Sequence, residues 1–219
     1  MGKFYEWHSL VKWSIAIAML LIVFSIMGLY VDFSGRSPLI ILAVFLIVPF
    51  FQFLAAPFFT LTKMYQYLSP MLLVYSASGE KYDLHNGTSF DYLMHMRGLK
   101  PGIQWRKKLL SYFLEGILVI IQRIEKGELP NTVIVRGSSY FFSESTAKRM
   151  GFEISNTSIY EKMNLLFNYL DLLWMFSLSK GKLTFPKLSQ IKTASITGSN
   201  LVKNKKYFEE LNSFLIKAG

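Results

Sequence analysis

Two long apolar runs without a charged residue stand back to back near the start of this chain. The first extends from Trp13 to Val31 (19 residues) and the second from Ser37 to Thr62 (26 residues). Helices of these lengths would reach about 28 and 39 Å, and about 30 Å is enough to cross the hydrocarbon core of a bilayer. Both runs therefore predict transmembrane helices, which the short turn 32–36 connects.

Two other interpretations fit less well. A cleaved signal peptide has an apolar segment of about 7–15 residues followed by a small-residue cleavage site, whereas the first run is longer and ends in Leu29-Tyr30-Val31-Asp32. A pair of buried core helices of this length, joined by so short a turn, would be unusual in a soluble domain. The sequence favours a membrane hairpin.

Positive charge near the ends of the runs predicts the orientation. Lys3 and Lys12 precede the first run, and from Lys63 onward 21 Lys and Arg stand against 12 Asp and Glu, a net charge of +9. Cytoplasmic flanks of spanning helices are enriched in Lys and Arg. We therefore predict a multi-pass protein of the cell membrane, with residues 1–12 and 63–219 in the cytoplasm and 32–36 outside.

Three side chains interrupt the regularity of the second run. Pro49 and Pro57 should bend the helix, and Gln52 either bonds to a freed carbonyl or marks a polar path through the bilayer. Small residues on both runs would allow close helix contact or self-association through the hairpin. They are Ser14, Ala16, Ala18, Ala55 and Ala56.

The hydrophobic pattern changes after the second run and predicts a cytoplasmic α+β domain. Strands are expected at 71–75, 81–84 and 89–96 as an antiparallel meander, with Asn86-Gly87 as its second turn, and another strand begins at Thr132. The expected helices are 103–126, 144–150, 159–179 and 204–217. Two stretches within them, Leu109–Ile121 and Met163–Leu178, are apolar around most of their girth. They either form the domain core or, for Met163–Leu178, lie in the membrane interface.

One polar cluster has residue types that support catalysis. On a strand, Ser89, Asp91 and His95 would point to one side, as in a relay with a nucleophile, a base and an orienting carboxylate. The alternative is the polar face of a half-exposed strand. His85, Asp91 and His95 could also ligate a metal, but their spacing matches no known pattern, so neither a metal nor a cofactor is predicted. The absence of cysteine excludes disulfides, thiolate nucleophiles and Cys-based zinc sites.

Arg97 to Phe152 resembles the acyl-CoA-binding half of the GNAT acetyltransferases. In both, a loop rich in Gly and basic residues leads into a long helix, a strand and a short helix, which ends here in Met150-Gly151-Phe152. The resemblance implies an acyl-CoA ligand. Gly98-Leu99-Lys100-Pro101-Gly102 departs from the family's pyrophosphate loop, because a proline stands where backbone N–H groups should face phosphate. The order of His85 and Asp91 also resembles the membrane-acyltransferase pattern, but with one residue too many between them and no second motif.

Two groups of cations predict an anionic partner. A basic triplet at a helix start opposes the helix dipole unless an anion is near, and no Asp or Glu occurs from Leu172 to Phe208. Lipid headgroups fit better than nucleic acid, because the run lacks arginine and has few aromatic residues to stack on bases. The predicted headgroup-binding residues are Arg106, Lys107, Lys108, Lys180, Lys182, Lys203, Lys205 and Lys206.

Two functions follow from these features. The first is a lipid- or partner-binding or assembly module at the inner leaflet, with membrane lipids and a possible protein partner. The second is a membrane-bound enzyme, an acyl- or other group transferase or a hydrolase, acting on a lipid-linked or acyl substrate through Asp91, His95 and Ser89.

Overall fold

The computed structural model describes residues 3–35, 42–75, 80–139 and 144–217. Two long apolar helices precede a mixed six-stranded sheet with helices. The helices are α1 Lys3–Glu6, α2 Ser9–Ser34, α3 Val44–Leu61, α4 Ser89–His95, α5 Ile103–Glu125, α6 Glu144–Arg149, α7 Ile159–Phe167, α8 Tyr169–Lys180, α9 Gly198–Lys203 and α10 Lys205–Lys217. The strands are β1 Tyr65–Ser69, β2 Leu72–Tyr75, β3 Lys81–Asn86, β4 Ile134–Ser139, β5 Glu153–Asn156 and β6 Lys192–Thr197.

The apolar runs form the two long helices α2 and α3, each long and apolar enough to cross a membrane. They pack antiparallel, with the Trp13 ring 6.1 Å from that of Phe58, and Ala16 of α2 is fully buried. The helix α3 passes through Pro49 and Pro57 without interruption. Asp32 belongs to the last turns of α2, and the rest of the predicted connection, 36–41, lies outside the described residues.

The sheet has the order β1-β2-β3-β4-β6-β5. Its neighbouring strands are antiparallel except β3 and β4, which are parallel. Such a pair needs a long crossover, which α4 and α5 provide. The apolar side of α5 buries Leu109, Phe113 and Ile120 in the main core. A Cβ on Gly116 would lie 2.6 Å from Leu72 Cδ2, so the backbone of α5 lies close against β2.

The predicted third strand of the meander, 89–96, is wrong, because residues 89–95 form the helix α4. A capping box starts it: the Thr88 hydroxyl accepts the Asp91 N–H, and Asp91 Oδ2 accepts the Thr88 N–H at 2.7 Å. These bonds satisfy donors that a helix start leaves free. Asn86-Gly87 consequently connects β3 to a helix, with the Gly87 N–H donated to the Met71 carbonyl.

Other elements agree with the sequence in part. The helices α5, α6 and α10, and the strands β2 and β3, lie within two residues of their predicted bounds. The predicted helix 159–179 is divided at Asn168 into α7 and α8. One side of α8 is core, with Leu172 and Met175 buried, whereas α7 buries no residue. The strands β1, β5 and β6 and the helix α9 were not predicted, and β6 and α9 lie within the stretch without acidic residues.

Candidate functional site

The two parallel strands separate at their carboxyl ends. Pairing of β3 with β4 is confined to Lys81–Asp83 and Ile134–Arg136. Beyond these residues β3 continues beside β2, where Asn86 pairs with Leu72, and β4 continues beside β6, where Gly137 pairs with Ala194. Among the described residues no strand fills the gap. The two strands therefore diverge after Leu84 and Gly137, which leaves an opening towards Asn86 and Ser138.

On one face of the sheet this opening leads into an apolar cavity of about 80 Å³ beneath α5 and α6. Large side chains from α5, such as Phe113 and Ile117, form one wall. The other wall carries small residues: Gly137 on β4, Ala147 on α6 and Ala194 on β6. A Cβ on Gly137 would lie 3.3 Å from Leu84 Cβ, so β3 and β4 are still close together at the start of the opening.

On the opposite face lies a polar cavity of about 300 Å³. Leu84, Asn86, Gly137 and Ser138 line both cavities, so the two cavities lie on opposite sides of the same stretch of the sheet. The polar lining also includes Gln52 of α3, Tyr75, Asp83, His85, Arg136, Glu161, Asn164 and Asp171. One cavity is therefore almost wholly apolar, and the other also carries charged and polar side chains.

Ion pairs fix the charges of the polar cavity. The Arg136 Nε donates a hydrogen bond to Asp83 Oδ1, and the Arg136 Nη2 lies 3.5 Å from Glu161 Oε1. Lys81 Nζ lies 3.0 Å from Asp83 Oδ2. Burial alone would raise the pKa of Asp83, but the bonds from Arg136 and Lys81 outweigh it and hold this pKa below its ordinary value. Both carboxylates are thus ionised and paired at neutral pH.

His85 is the group in the polar cavity suited to accept a proton. Its ring lies against Tyr75, with ring centroids 4.1 Å apart. Burial lowers the pKa of His85, although the nearby Asp83 carboxylate opposes this. The imidazole is therefore neutral at neutral pH, with a nitrogen able to take a proton.

The three predicted catalytic residues all lie on α4, but each has a different partner. At 3.6 residues per turn Ser89 and Asp91 point about 200° apart. The Ser89 hydroxyl donates to Asp171 Oδ1 at 2.7 Å, and the Trp174 indole N–H donates to the same oxygen at 3.1 Å. Ser89 and Asp171 lie in a groove of about 600 Å³ between α3, α4 and α8. The relay of Ser89, Asp91 and His95 was predicted on a strand, and these residues lie on a helix, where their side chains do not point to one side.

Asp91 is the buried capping residue of α4. Its Oδ2 accepts hydrogen bonds from the Tyr67 hydroxyl at 2.7 Å and from the Thr88 hydroxyl at 2.9 Å, besides the Thr88 N–H. Burial raises the pKa of Asp91 to about 6, although the hydrogen bonds from Tyr67 and Thr88 act in the opposite direction and lower it. His95 lies beside Tyr112 with ring centroids 6.4 Å apart, and burial lowers its pKa.

The predicted cations fall into two groups at opposite ends of α5. At the start of α5, Gly102 donates its N–H to the Leu178 carbonyl and its backbone touches Gly181, so Arg106–Lys108 lie near Lys180 and Lys182. At the other end Lys205 pairs with Glu125 at 2.8 Å. Arg106 and Glu125 are 19 residues apart, about 29 Å along a helix. Lys203, Lys205 and Lys206 are therefore remote from the first group.

Several residues of the opening were missed from the sequence, including Arg136, Ser138, Glu161 and Asp171. They lie on β4, α7 and α8, which are separate along the chain, so only the packing of these elements against one another brings them to one cavity. The Thr88-Ser89-Phe90-Asp91 capping box, by contrast, is a local signal that predicts a helix. Within the described ranges, no three His, Asp or Glu side chains are grouped so as to hold a metal ion.

No family model, no curated protein and no solved structure matches the chain.

Proposed function

We propose that this protein is a membrane-attached acyltransferase, which holds an acyl donor in the opening between β3 and β4. The observation that carries the proposal is the separation of these strands, with an apolar cavity on one face of the sheet and a polar cavity on the other. An extended chain with amide groups could hydrogen-bond to the two unpaired strand edges. The pantetheine arm of an acyl thioester has this chemistry.

The size of the apolar cavity favours a short acyl group. An engineered protein cavity of about 150 Å³ binds benzene, and the cavity beneath α5 and α6 has about half that volume. It therefore suits an acyl group of a few carbons. The polar cavity would take the acceptor, whose amine or hydroxyl loses its proton to His85 as it attacks the acyl carbon. The C–S bond then breaks, and the leaving thiolate takes up the proton from the His85 imidazolium.

The order of elements supports the same proposal. A long helix, a strand, a short helix and Met150-Gly151-Phe152 follow one another as in the GNAT resemblance. The departure from that family remains at the loop before α5. Pro101 has no N–H, and the Gly102 N–H is bonded to Leu178 at 2.7 Å. We therefore expect the pantetheine arm, rather than the nucleotide, to supply most of the binding.

Calorimetric titration of the full-length protein in detergent tests this proposal. We expect acetyl-CoA and S-acetyl-pantetheine to bind with similar dissociation constants. Ala147→Leu, which fills the apolar cavity, should weaken both by about tenfold or more, equivalent to about 1.4 kcal/mol. The matched control is Ala18→Leu, because Ala18 is exposed on α2. Absence of binding by the wild type, or undiminished binding by a folded Ala147→Leu variant, would refute the proposal.

We also propose a second function, the binding of anionic headgroups by the first cation group. The contact between Gly102 and Gly181 supports it, because it brings two cationic segments together beside the groove that Arg97 lines next to α3. The test measures the melting temperature of the full-length protein in micelles with and without an anionic lipid. Replacing Lys107, Lys180 and Lys182 by Gln should abolish a salt-sensitive stabilisation, whereas replacing Lys203, Lys205 and Lys206 should not. Equal effects of the two triple variants would contradict this second function.

A further inference from the structure

The helix α3 lies against the globular domain along nearly its whole length. Near its start, Phe45 stacks on Phe167 of α7 with ring centroids 6.0 Å apart. Further along, the ring of Phe53 contacts that of Phe90 on α4, with centroids 5.7 Å apart. Near the end of α3, the ring of Phe59 contacts that of Tyr65 on β1, with centroids 5.3 Å apart. Phe45 and Phe59 are about 21 Å apart on a helix. A bilayer around α3 would therefore have to enclose α4, α7 and part of the sheet at the same depth.

Charged side chains lie level with the middle of α3. Gln52 is the ninth of the 18 residues of α3, and it lines the polar cavity together with Asp83, Arg136 and Glu161. The last three side chains are 37, 35 and 26 % exposed. Ionised groups that water can reach are rare and energetically costly at the centre of a hydrocarbon layer, even when they are paired as these are. This side of α3 therefore faces water.

The helix α2 has the opposite environment. It packs on α3 through one stripe that includes the buried Ala16 and Val23, and the rest of its surface is open. Large apolar side chains cover that open surface, among them Leu21 and Phe24, each 60 % exposed. A partner helix would cover a single further stripe, whereas lipid covers all the open sides of a helix. The domain, α3 and α2 thus form three successive layers that end in an apolar surface.

Further exposed apolar residues occur where the chain enters α2 and at the start of α7. Trp7 and Leu10 are 48 and 73 % exposed where the chain enters α2. Ile159 and Tyr160 are 73 and 85 % exposed at the start of α7, whose last residue, Phe167, stacks on Phe45. Lys12 and Lys63, at the N-terminal end of α2 and just past the end of α3, suit the headgroup region of an anionic leaflet.

We infer that the α2–α3 hairpin lies along one leaflet of the membrane instead of crossing it. In this arrangement α2 is immersed in lipid, α3 lies between α2 and the domain, and the polar cavity opens to water. Both termini and the connection after α2 lie on the same face of the membrane. The inference does not depend on the acyltransferase proposal, since it concerns only how the protein meets the bilayer.

Single-cysteine labelling can test this arrangement cleanly, because the chain contains no cysteine. The full-length protein with Gly35→Cys is expressed in cells, and a membrane-impermeant maleimide is applied to intact cells and to inside-out vesicles. A Cβ at position 35 meets its nearest atom at 3.7 Å, so the substitution fits. Lys126→Cys, at the end of α5, reports the side of the domain. We expect both variants to react from the same face.

Two further variants examine the layers. Gln52→Cys should react from the domain side, because Gln52 lines the polar cavity, while Ile22→Cys should react only after detergent is added. Labelling in detergent and a cooperative melt establish that each variant is folded and reactive. Reaction of Gly35→Cys from the face opposite to Lys126→Cys, or from neither face, overturns the inference. So does protection of Gln52→Cys, which a crossing hairpin predicts.

Discussion

The helices α2 and α3 are alike in sequence but different in their surroundings. Both are long and apolar enough to cross a membrane. Yet α2 contacts its neighbour through one stripe, while α3 is held between α2 and the domain, with Leu54, Ala55, Ala56 and Pro57 buried. The hydropathy of a helix therefore reports how much apolar surface the helix carries. It does not report whether lipid or protein covers that surface.

The largest expected difference comes from removing one large side chain from each helix. Phe53→Ala removes the ring contact with Phe90 and part of the wall of the groove beside α8. We expect it to lower the free energy of unfolding by about 3 to 4 kcal/mol, as for other Phe→Ala changes in cores. Ile22→Ala, on the exposed side of α2, should cost less than about 0.5 kcal/mol in detergent. Urea unfolding followed by tryptophan fluorescence measures both, and similar losses would show that the helices are equivalent.

A pH-dependent contribution should come from Asp91, which caps α4 on the domain side of α3. Its pKa is raised from 3.8 to about 6 in the folded protein. The folded state therefore binds more protons than the unfolded state between these values, and stability falls as pH rises from about 4 through 6. The loss would reach at most about 3 kcal/mol, because one pKa unit corresponds to about 1.4 kcal/mol.

Asp91→Asn keeps an oxygen to accept the bonds from Thr88 and Tyr67 and removes the titration. Its stability should change little between pH 4 and 6, while that of the wild type falls. Unfolding curves at several pH values test this, and an equal slope in both proteins would assign the pH dependence to other groups. Retained function in this variant would also argue for a capping role of Asp91 rather than a catalytic one.

Two substitutions within α2 compare how its buried stripe and its open side tolerate a larger side chain. Ala16 is fully buried, so Ala16→Leu should push α2 away from α3 and cost about 2 kcal/mol by overpacking. Gly28 has nothing within 4 Å of an added Cβ, so Gly28→Leu should be tolerated or slightly stabilising. Thermal melts in the same detergent compare them. Destabilisation by Gly28→Leu would indicate that a further element covers α2.

The smallest expected effect concerns the link between α1 and α3. The Tyr5 hydroxyl donates to Thr60 Oγ1 at 3.2 Å. Tyr5→Phe should lower stability by about 1 kcal/mol, the usual net contribution of such a bond. Tyr160→Phe serves as the control, because Tyr160 is 85 % exposed on α7. If both variants melt at the wild-type temperature, α1 is not fixed on α3 by this bond.

The candidate site was less predictable than the elements around it. The sequence drew attention to Ser89, Asp91 and His95, because alternation predicted a strand there. The capping box at Thr88 starts a helix there instead, because its hydrogen bonds satisfy backbone N–H groups that a helix start leaves free. An alternating pattern of polar and apolar residues supplies no such bonds. The opening between β3 and β4 needs residues from three distant segments, around Asp83, Arg136 and Glu161. Asp83 and Arg136 meet through the parallel pairing, and Glu161 meets Arg136 through an ion pair from α7. No local pattern encodes either contact.

Local properties of the sequence determined the long apolar helices, the core helix α5 and the absence of thiol chemistry. Length, composition and 3.6-residue periodicity suffice for these, because each depends on neighbours along the chain. Tertiary structure alone decided that β3 and β4 separate, that the cations divide between two ends of α5, and that protein covers more of α3 than of α2. These features depend on which surfaces meet across long stretches of chain. Hydrophobic patterns specify that a surface must be covered, and only packing specifies by what.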